Sequence, residues 1–112
     1  MSDMRELIIY QKHYDLVLYA FPVINRFPKS QRFVLGQQIE TSLLQFGLLI
    51  IQANQLRQKR GKLMEADTEL EKLRYLVRLA KDLQFLTLSK YEIISQRLNE
   101  IGKLLGGWMK AG

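Results

Sequence analysis

Hydrophobic residues recur every three to four positions along most of the chain, a spacing typical of amphipathic α-helices. The spacing predicts a first helix over residues 4–26, with Pro22 inside its last turns. A proline there removes one backbone donor, so a kink is expected. The residue before Pro28 is disfavoured in helical geometry, and the chain therefore breaks at that point.

A second helix is predicted from about Gln31 to Leu56, with Ser30 as its N-cap. It is apolar on more than one face, because its hydrophobic residues are Phe33, Val34, Leu35, Ile39, Leu43, Leu44, Phe46 and the run 48–51. Such a helix is expected to be central, or to be covered on one side by the core and on another by a second subunit.

The third and fourth helices carry narrower apolar faces. The third is predicted over roughly residues 63–86, with Asp67 or Thr68 as alternative caps at its start. The segment RQKRGK (57–62) before it is predicted to be a loop. Ser89 and Glu92 form a capping-box pattern that opens the fourth helix, and Trp108 near its end is expected to pack back onto the bundle.

Four helices joined by short loops predict an all-α fold, an antiparallel up-down-up-down four-helix bundle, as a single domain over residues 1–112. A domain of 112 residues buries only about two-thirds of the surface of its unfolded chain, so self-association is a natural way to cover more apolar area. The chain has no cysteine, which excludes disulfides and thiolate metal sites and suits the cytoplasm. Charges mixed into the first residues argue against a secretory signal. The longest uncharged run, Thr41 to Leu56, is shorter than the roughly 20 apolar residues of a membrane span, so no membrane association is expected.

The formal net charge of +6 is concentrated in one region. Residues 16–64 hold seven basic side chains against Glu40 alone, which gives this region a net +6, while the rest of the chain cancels. A regional excess of this kind favours a polyanionic partner such as RNA or DNA. A solvated basic surface without a partner is the alternative.

Two groups of basic residues are candidates for phosphate contacts. The first is Arg57, Lys59, Arg60 and Lys62 in the RQKRGK segment, which is otherwise an ordinary solvated turn. The second is a stripe on the third helix, Arg74, Arg78 and Lys81, whose spacing places it on one helix face together with Phe85. Ion pairs from Glu71 to Arg74 and from Arg78 to Asp82 would occupy part of this stripe. Lys29 and Arg32 are secondary candidates at the corner between the first two helices.

Catalysis finds little support in the sequence. His13 is the single histidine, without the Glu-x-x-His pattern of a metal site in a bundle core, and Glu40 offers a lone carboxylate. A nucleophile with a paired base is not apparent. The sequence predicts a non-enzymatic protein with no catalytic residues, no metal site and no cofactor.

Three segments carry a resemblance to a known family: RFPKSQRFVLGQQIE (Arg26 to Glu40), LRYLVRLAKDL (Leu73 to Leu83) and EIGKLLGGWMK (Glu100 to Lys110). Together they resemble the accessory variability determinant proteins of diversity-generating retroelements, within the wider four-helix-bundle family related to proteins encoded in ribosomal RNA intervening sequences.

The resemblance implies a homopentameric barrel of four-helix bundles that binds RNA or DNA and associates with a reverse transcriptase, supporting mutagenic cDNA synthesis and retrohoming. It implies that the basic binding surface of the family lies at Arg74, Arg78 and Lys81, while the RQKRGK loop inherits nothing from the match. A structural bundle with only protein partners, as in the ribosomal intervening-sequence relatives, is the alternative function.

Overall fold

The computed structural model describes residues 4–111, with side chains from residue 8 onward. Four helices span these residues: α1 (Met4–Ile24), α2 (Lys29–Gln55), α3 (Arg60–Asp82) and α4 (Leu88–Ala111). The connections 25–28, 56–59 and 83–87 are so short that consecutive helices must run antiparallel. Each helix packs on its neighbours in chain order and α4 closes onto α1, so the predicted all-α four-helix bundle is confirmed. The long dimension of 43 Å is close to the length of one helix of this size.

The core is a single cluster of side chains contributed by all four helices. Phe46 of α2 and Trp108 of α4 are buried in it, and the prediction that Trp108 packs back onto the bundle is confirmed. Ser42 is the one buried polar side chain in the described part of the chain, and its hydroxyl donates a hydrogen bond to Glu69 of α3. This bond satisfies the hydroxyl where α2 crosses α3, so burial leaves no unpaired donor there.

The corner between α1 and α2 is capped by backbone geometry. Ser30 does not cap α2, contrary to the prediction; it lies within the first turn, and the N-cap is Pro28, with φ −49° and ψ 138°. The Pro28 carbonyl accepts bonds from the amides of Gln31 and Arg32, at 2.7 and 3.1 Å. The proline ring restricts φ, and the extended ψ of Pro28 gives the non-helical geometry of an N-cap without a side-chain hydrogen bond.

A π-helical turn, Arg32–Gly36, interrupts α2 before the regular stretch Gln37–Gln55. Leu35 and Gly36 are buried, whereas Phe33 is 72% exposed and Val34 is also exposed, although the sequence places both in the apolar part of the helix. A Cβ on Gly36 would lie 2.9 Å from Ile24 Cγ2. The absence of a side chain at Gly36 therefore lets the backbone of α2 approach α1.

Helix α3 begins earlier and ends earlier than the sequence predicts. It starts at Arg60, so only residues 56–59 form a connection, and it ends at Asp82 rather than at residue 86. Gln84 adopts φ 67°, and the amides of Gln84 and Phe85 donate to the carbonyls of Lys81 and Ala80. This is a Schellman ending with glutamine in the position that usually holds glycine, which explains why no glycine signalled it.

Helix α4 starts at Leu88 and is preceded by Thr87, whose hydroxyl accepts a hydrogen bond from the Lys90 amide at 3.3 Å. The predicted capping box opened by Ser89 is therefore wrong by two residues, and Thr87 is the capping residue. A threonine supplies the same acceptor as a serine, so the cap chemistry is as expected but its position is not. The helix continues through Gly106 and Gly107 to Ala111.

Helix α2 is long and apolar enough to cross a membrane when judged by length and composition alone. Half of its most apolar window is buried within the bundle, as is typical of a core helix. The prediction that this helix is apolar on two sides is confirmed, because Leu44, Leu48 and Ile51 remain exposed on it. This second face is a surface feature that the fold of one chain leaves uncovered.

Candidate nucleic-acid interface

The basic stripe on α3 faces α4, and each of its members is close to an acid. Arg74 pairs with Glu71, Arg78 Nε lies 3.8 Å from Asp82 Oδ2, and Lys81 Nζ lies 3.0 Å from Asp82 Oδ1. Both local pairs anticipated from the sequence are present. Such exposed pairs contribute little to stability and exchange readily with other anions.

Arg74 packs against α4. Its guanidinium passes over Gly102 of α4, where an added Cβ would lie 2.5 Å from one terminal nitrogen. Its Nε is buried and has no hydrogen-bond partner among the described residues. Arg74 is thus partly an interhelical packing residue, with its position set by the missing side chain at Gly102.

Arg74 and Arg78 line a groove of about 450 Å³ between α3 and α4. The other lining residues are Glu71, Tyr75, Tyr91, Ser95 and Asn99. Lys81 borders it, with Nζ 4.8 Å from the centroid of the Tyr91 ring. The sequence prediction missed Tyr75 as a functional residue; the available signal is an aromatic side chain next to Arg74 and outside the apolar seam of α3.

Phe85 does not extend the basic stripe, contrary to the prediction. Because α3 ends at Asp82, Phe85 turns inward and its ring packs against Phe27 at a centroid distance of 5.9 Å. The aromatic side chains beside the stripe are instead Tyr75 on α3 and Tyr91 on α4.

Two of the basic residues in the RQKRGK segment have partners within the fold, and two have no acid partner among the described residues. Lys59 Nζ donates to the carbonyls of Ala53, Asn54 and Leu56, closing the C-terminal end of α2, and Lys62 lies 3.3 Å from Glu65. Arg57 and Arg60 are exposed, and neither pairs with an acid among the described residues. The predicted loop is wrong in extent, since Arg60 and Lys62 lie in the first turn of α3.

Lys29 is exposed at the start of α2, as is Arg26 just before it. Arg32 is half-buried, lines a shallow groove with Phe33 and Glu40, and its Nε is buried without a hydrogen-bond partner among the described residues. Lys29 therefore offers an accessible charge at this corner, whereas Arg32 is held partly within the fold.

A second groove, between α1 and α2, is predominantly apolar. It is lined by Tyr10, Gln11, His13, Tyr14, Leu44, Gly47, Leu48 and Ile51. Leu18 is exposed one helical turn after Tyr14 and extends the apolar surface along α1. We call this surface the α1/α2 groove. Contiguous exposed apolar side chains of this kind mark interaction surfaces in proteins.

His13 forms part of the floor of the α1/α2 groove. Its Nε2 lies 2.7 Å from the Leu43 carbonyl, and its ring packs on Phe46 at 5.8 Å between centroids. Since a carbonyl only accepts, Nε2 carries the proton and donates it. Burial lowers the pKa of His13, and the bond to Leu43 opposes that effect. The neutral imidazole is thus an interhelical packing group in this fold.

No group of three or more His, Asp or Glu side chains in residues 8–111 is placed to hold a metal ion. The arrangement described above offers instead a polar groove with two arginines and two tyrosines, two accessible arginines at and just before the start of α3, and an apolar groove. These features are suited to binding.

Comparison with known proteins identifies the family of the chain. The bAvd-like family model matches residues 7–111. The chain belongs to the bAvd-like family. The resemblance drawn from its three sequence segments is thereby confirmed.

The bAvd-like chain is also similar to a solved structure, a protein of unknown function from the S23 ribosomal protein family of Bacteroides thetaiotaomicron. The two share 25% sequence identity with a TM-score of 0.86, over 96% of this chain and 99% of the other. No curated protein matches the bAvd-like chain.

Proposed function

We propose that this protein is a non-catalytic accessory subunit that binds nucleic acid and associates with the reverse transcriptase of a diversity-generating retroelement. In that role it supports mutagenic cDNA synthesis and retrohoming in the cytoplasm. Membership of the bAvd-like family over residues 7–111 is the observation that carries the proposal. The net +6 concentrated in residues 16–64 supports it, since a regional positive charge is suited to a phosphate backbone.

The exposed cations provide the phosphate contacts in this proposal. Arg57 and Arg60 have no acid partner in the described part of the chain, so no ion pair has to be broken before they neutralise a phosphate. Arg78 is 73% exposed and its pairing distance to Asp82 is long, at 3.8 Å. These three arginines are stronger candidates for phosphate contacts than Lys59 and Lys62, because Lys59 already hydrogen bonds to carbonyls at the end of α2 and Lys62 is paired with Glu65.

Salt titration of nucleic-acid binding tests the phosphate contacts. The logarithm of affinity should fall linearly with the logarithm of salt concentration, with a slope set by the number of phosphates neutralised. Replacing Arg57 and Arg60 by alanine should reduce the slope on duplex DNA by about 1.8, or about 0.9 for each lost contact. Lys12→Ala is the control, because Lys12 lies on α1 outside the basic region and is paired with Glu100 at 2.9 Å. Affinity that does not respond to salt, or an unchanged slope in the double variant, contradicts this mechanism.

Association with the reverse transcriptase is tested by co-expression. A reverse-transcriptase gene beside this one, with a near-repeat that differs at adenines, identifies the enzyme to use. The proposal expects the tagged enzyme to retain this protein through purification in moderate salt. Failure to co-purify, with both proteins folded, counts against the partnership.

We further propose that the protein assembles into a homopentamer through the α1/α2 groove. The groove leaves Tyr14, Leu44, Leu48 and Ile51 exposed, and covering apolar area of this kind stabilises assemblies. Light scattering should give a mass of about 66 kDa, five times the 13.2 kDa chain. Leu44→Glu should lower this mass, whereas Leu88→Glu, at an exposed leucine on α4, should not. A monomer mass at micromolar concentration contradicts assembly.

A second candidate function is a structural bundle with only protein partners. The pairing of Arg74, Arg78 and Lys81 with acids favours it, because part of the basic stripe is internally neutralised. The similar protein from the S23 ribosomal protein family is itself of unknown function and does not decide between the two. Absence of any salt-sensitive RNA or DNA binding, in a correctly folded oligomer, would leave this second function.

A further inference from the structure

We infer that the groove between α3 and α4 binds single-stranded nucleic acid, with Tyr75 as a stacking platform for an unpaired base. This inference rests on the proposed nucleic-acid-binding function and specifies the form of the ligand. The groove brings together Tyr75, two arginines, the Tyr91 ring, and the Ser95 and Asn99 side chains.

Tyr75 is the residue that points to a base. Its side chain is 69% exposed, and no described residue hydrogen bonds to it or stacks on it. It precedes Arg78 by three positions, so these two side chains are neighbours on α3. Arg74 lies about 100° around the helix from Tyr75, and all three residues line the same groove. Aromatic rings interleaved with cations are the recurring arrangement by which proteins bind single strands, because every base presents a π-face.

The arginines supply the charge for the backbone. Arg78 is 73% exposed and accessible to a phosphate, while Arg74 packs on Gly102 with its Nε buried, which places one cation beside the groove. A phosphate that approaches Arg78 competes only with the 3.8 Å contact to Asp82. The groove thus offers one accessible cation and one that is packed against α4.

The opposite wall, on α4, is polar and neutral. Ser95 and Asn99 carry a hydroxyl and an amide, which donate and accept hydrogen bonds and suit a sugar hydroxyl or a base edge. One side of the Tyr91 ring is covered by Lys81 at 4.8 Å, so Tyr91 serves as a wall of the groove and Tyr75 as the accessible platform. Neither wall is apolar enough to require a protein helix as its cover.

The charge of this surface favours a single strand over a duplex. Its three basic residues are balanced in part by Glu71 and Asp82, which leaves a net charge of only +1. Duplex binding without base contacts depends on many phosphates, and its bases are stacked internally and unavailable to Tyr75. A single strand gains stacking as well as phosphate contacts, so it benefits from a groove in which charge alone is weak.

The first experiment compares one labelled strand with the duplex of the same sequence by fluorescence anisotropy, as RNA and as DNA. We expect wild-type protein to bind the single strand, and Tyr75→Ala to weaken that binding about 5- to 150-fold, the affinity equivalent of one base stack. Tyr75→Phe keeps the ring and should retain wild-type affinity. Duplex affinity should be nearly unchanged by either substitution.

The second experiment locates the base directly. Strands that contain 5-bromouracil are irradiated on the wild-type protein, and the adducts are mapped after trypsin digestion. Cleavage after Arg74 and Arg78 releases residues 75–78 as a peptide with Tyr75 as its single aromatic residue, distinct from the peptide 91–97 that carries Tyr91. The inference expects the adduct on Tyr75.

The possible failures are distinguishable. If single strands and duplexes both bind with strong salt dependence, but Tyr75→Ala changes neither and no adduct forms on Tyr75, the stacking groove is wrong and the proposed function stands. If neither form of RNA or DNA binds, the proposed function fails and this inference fails with it. Equal loss in Tyr75→Phe and Tyr75→Ala also overturns the inference, since the ring would then not be the contacting group.

Discussion

Replacing Gly47 by alanine probes the contact between α1 and α2 at its closest point. A Cβ at position 47 would lie 2.5 Å from His13 Cε1 and 3.1 Å from His13 Nε2. The ring has little room to retreat, because it is bonded to the Leu43 carbonyl and packed on Phe46. The substitution therefore forces His13 out of its position or moves α1 away from α2.

Three contributions set the size of the effect. Overpacking a well-packed site costs about 1–3 kcal/mol, and the lost hydrogen bond of His13 costs about 0.5–1.5 kcal/mol. Alanine is favoured over glycine inside a helix by about 1 kcal/mol, which opposes them. The free energy of unfolding should therefore fall by about 0.5–3.5 kcal/mol. For a domain of this size that corresponds to a Tm lower by about 2–14 °C.

The assay is a double-mutant cycle measured by denaturant or thermal unfolding at one fixed protein concentration, since the proposed assembly would make stability depend on concentration. In the His13→Ala background the clash is absent, so Gly47→Ala should be neutral or stabilising by up to about 1 kcal/mol. Gly106→Ala, at a helical glycine with open space around its Cβ position, is the control for helix propensity. If the two substitutions are additive within about 0.5 kcal/mol, the reasoning about this contact is refuted.

Three other predictions concern single residues. Because burial lowers the pKa of His13 below its ordinary value of about 6.5, the unfolded chain binds the proton more readily than the folded protein. The free energy of unfolding should therefore fall as pH falls from about 6.5 toward the lower folded pKa. His13→Asn should reduce this pH dependence when unfolding is measured at several pH values across that window. Gly102→Ala should displace the Arg74 guanidinium and weaken single-strand binding without loss of a charge, whereas Gly106→Ala should leave binding unchanged. Equal single-strand affinity of the wild type and Gly102→Ala in a binding titration would contradict the role of Gly102. Gln84→Gly should raise the free energy of unfolding by up to about 1 kcal/mol, because glycine adopts φ 67° without the steric cost to a side chain, and calorimetry showing a lower Tm would count against this.

The number of helices and their approximate positions could be predicted because the apolar spacing is strong in every helix. The ends of the helices could not, because more than one nearby residue is able to serve as the cap of each helix. Pro28 caps α2 where Ser30 was the expected cap, and Thr87 caps α4 where Ser89 was expected. In each case another residue nearby met the same requirement two positions earlier.

The candidate site was predictable only in part, and for a physical reason. The spacing of Arg74, Arg78 and Lys81 places them on one helix face, and the structure confirms that they lie together along the α4 side of α3. The other wall of the groove comes from α4, some twenty residues later, so Tyr91, Ser95 and Asn99 could not be linked to the stripe without knowing how the helices pack. The predicted role of these residues in binding remains a prediction.

The RQKRGK segment shows that the sequence cannot tell which basic side chains are free to bind. A cluster of charges in sequence does not remain a cluster of free charges in the fold, because Lys59 closes the end of α2 and Lys62 pairs with Glu65. Only contacts in three dimensions separate these lysines from Arg57 and Arg60.

The π-helical turn at Arg32–Gly36 has a consequence for insertions and deletions. A π-turn contains one residue more than an α-helical turn, so this segment has one residue more than a continuous α-helix would need. Deleting one residue here allows the turn to return to α-helical bonding while Gln37–Gln55 keeps its orientation. The same deletion in the middle of α2 would rotate everything on one side of it by about 100°, exchanging the core-facing residues for those of the exposed face. Length variation among related chains should therefore be tolerated at this corner and excluded from the rest of the helix.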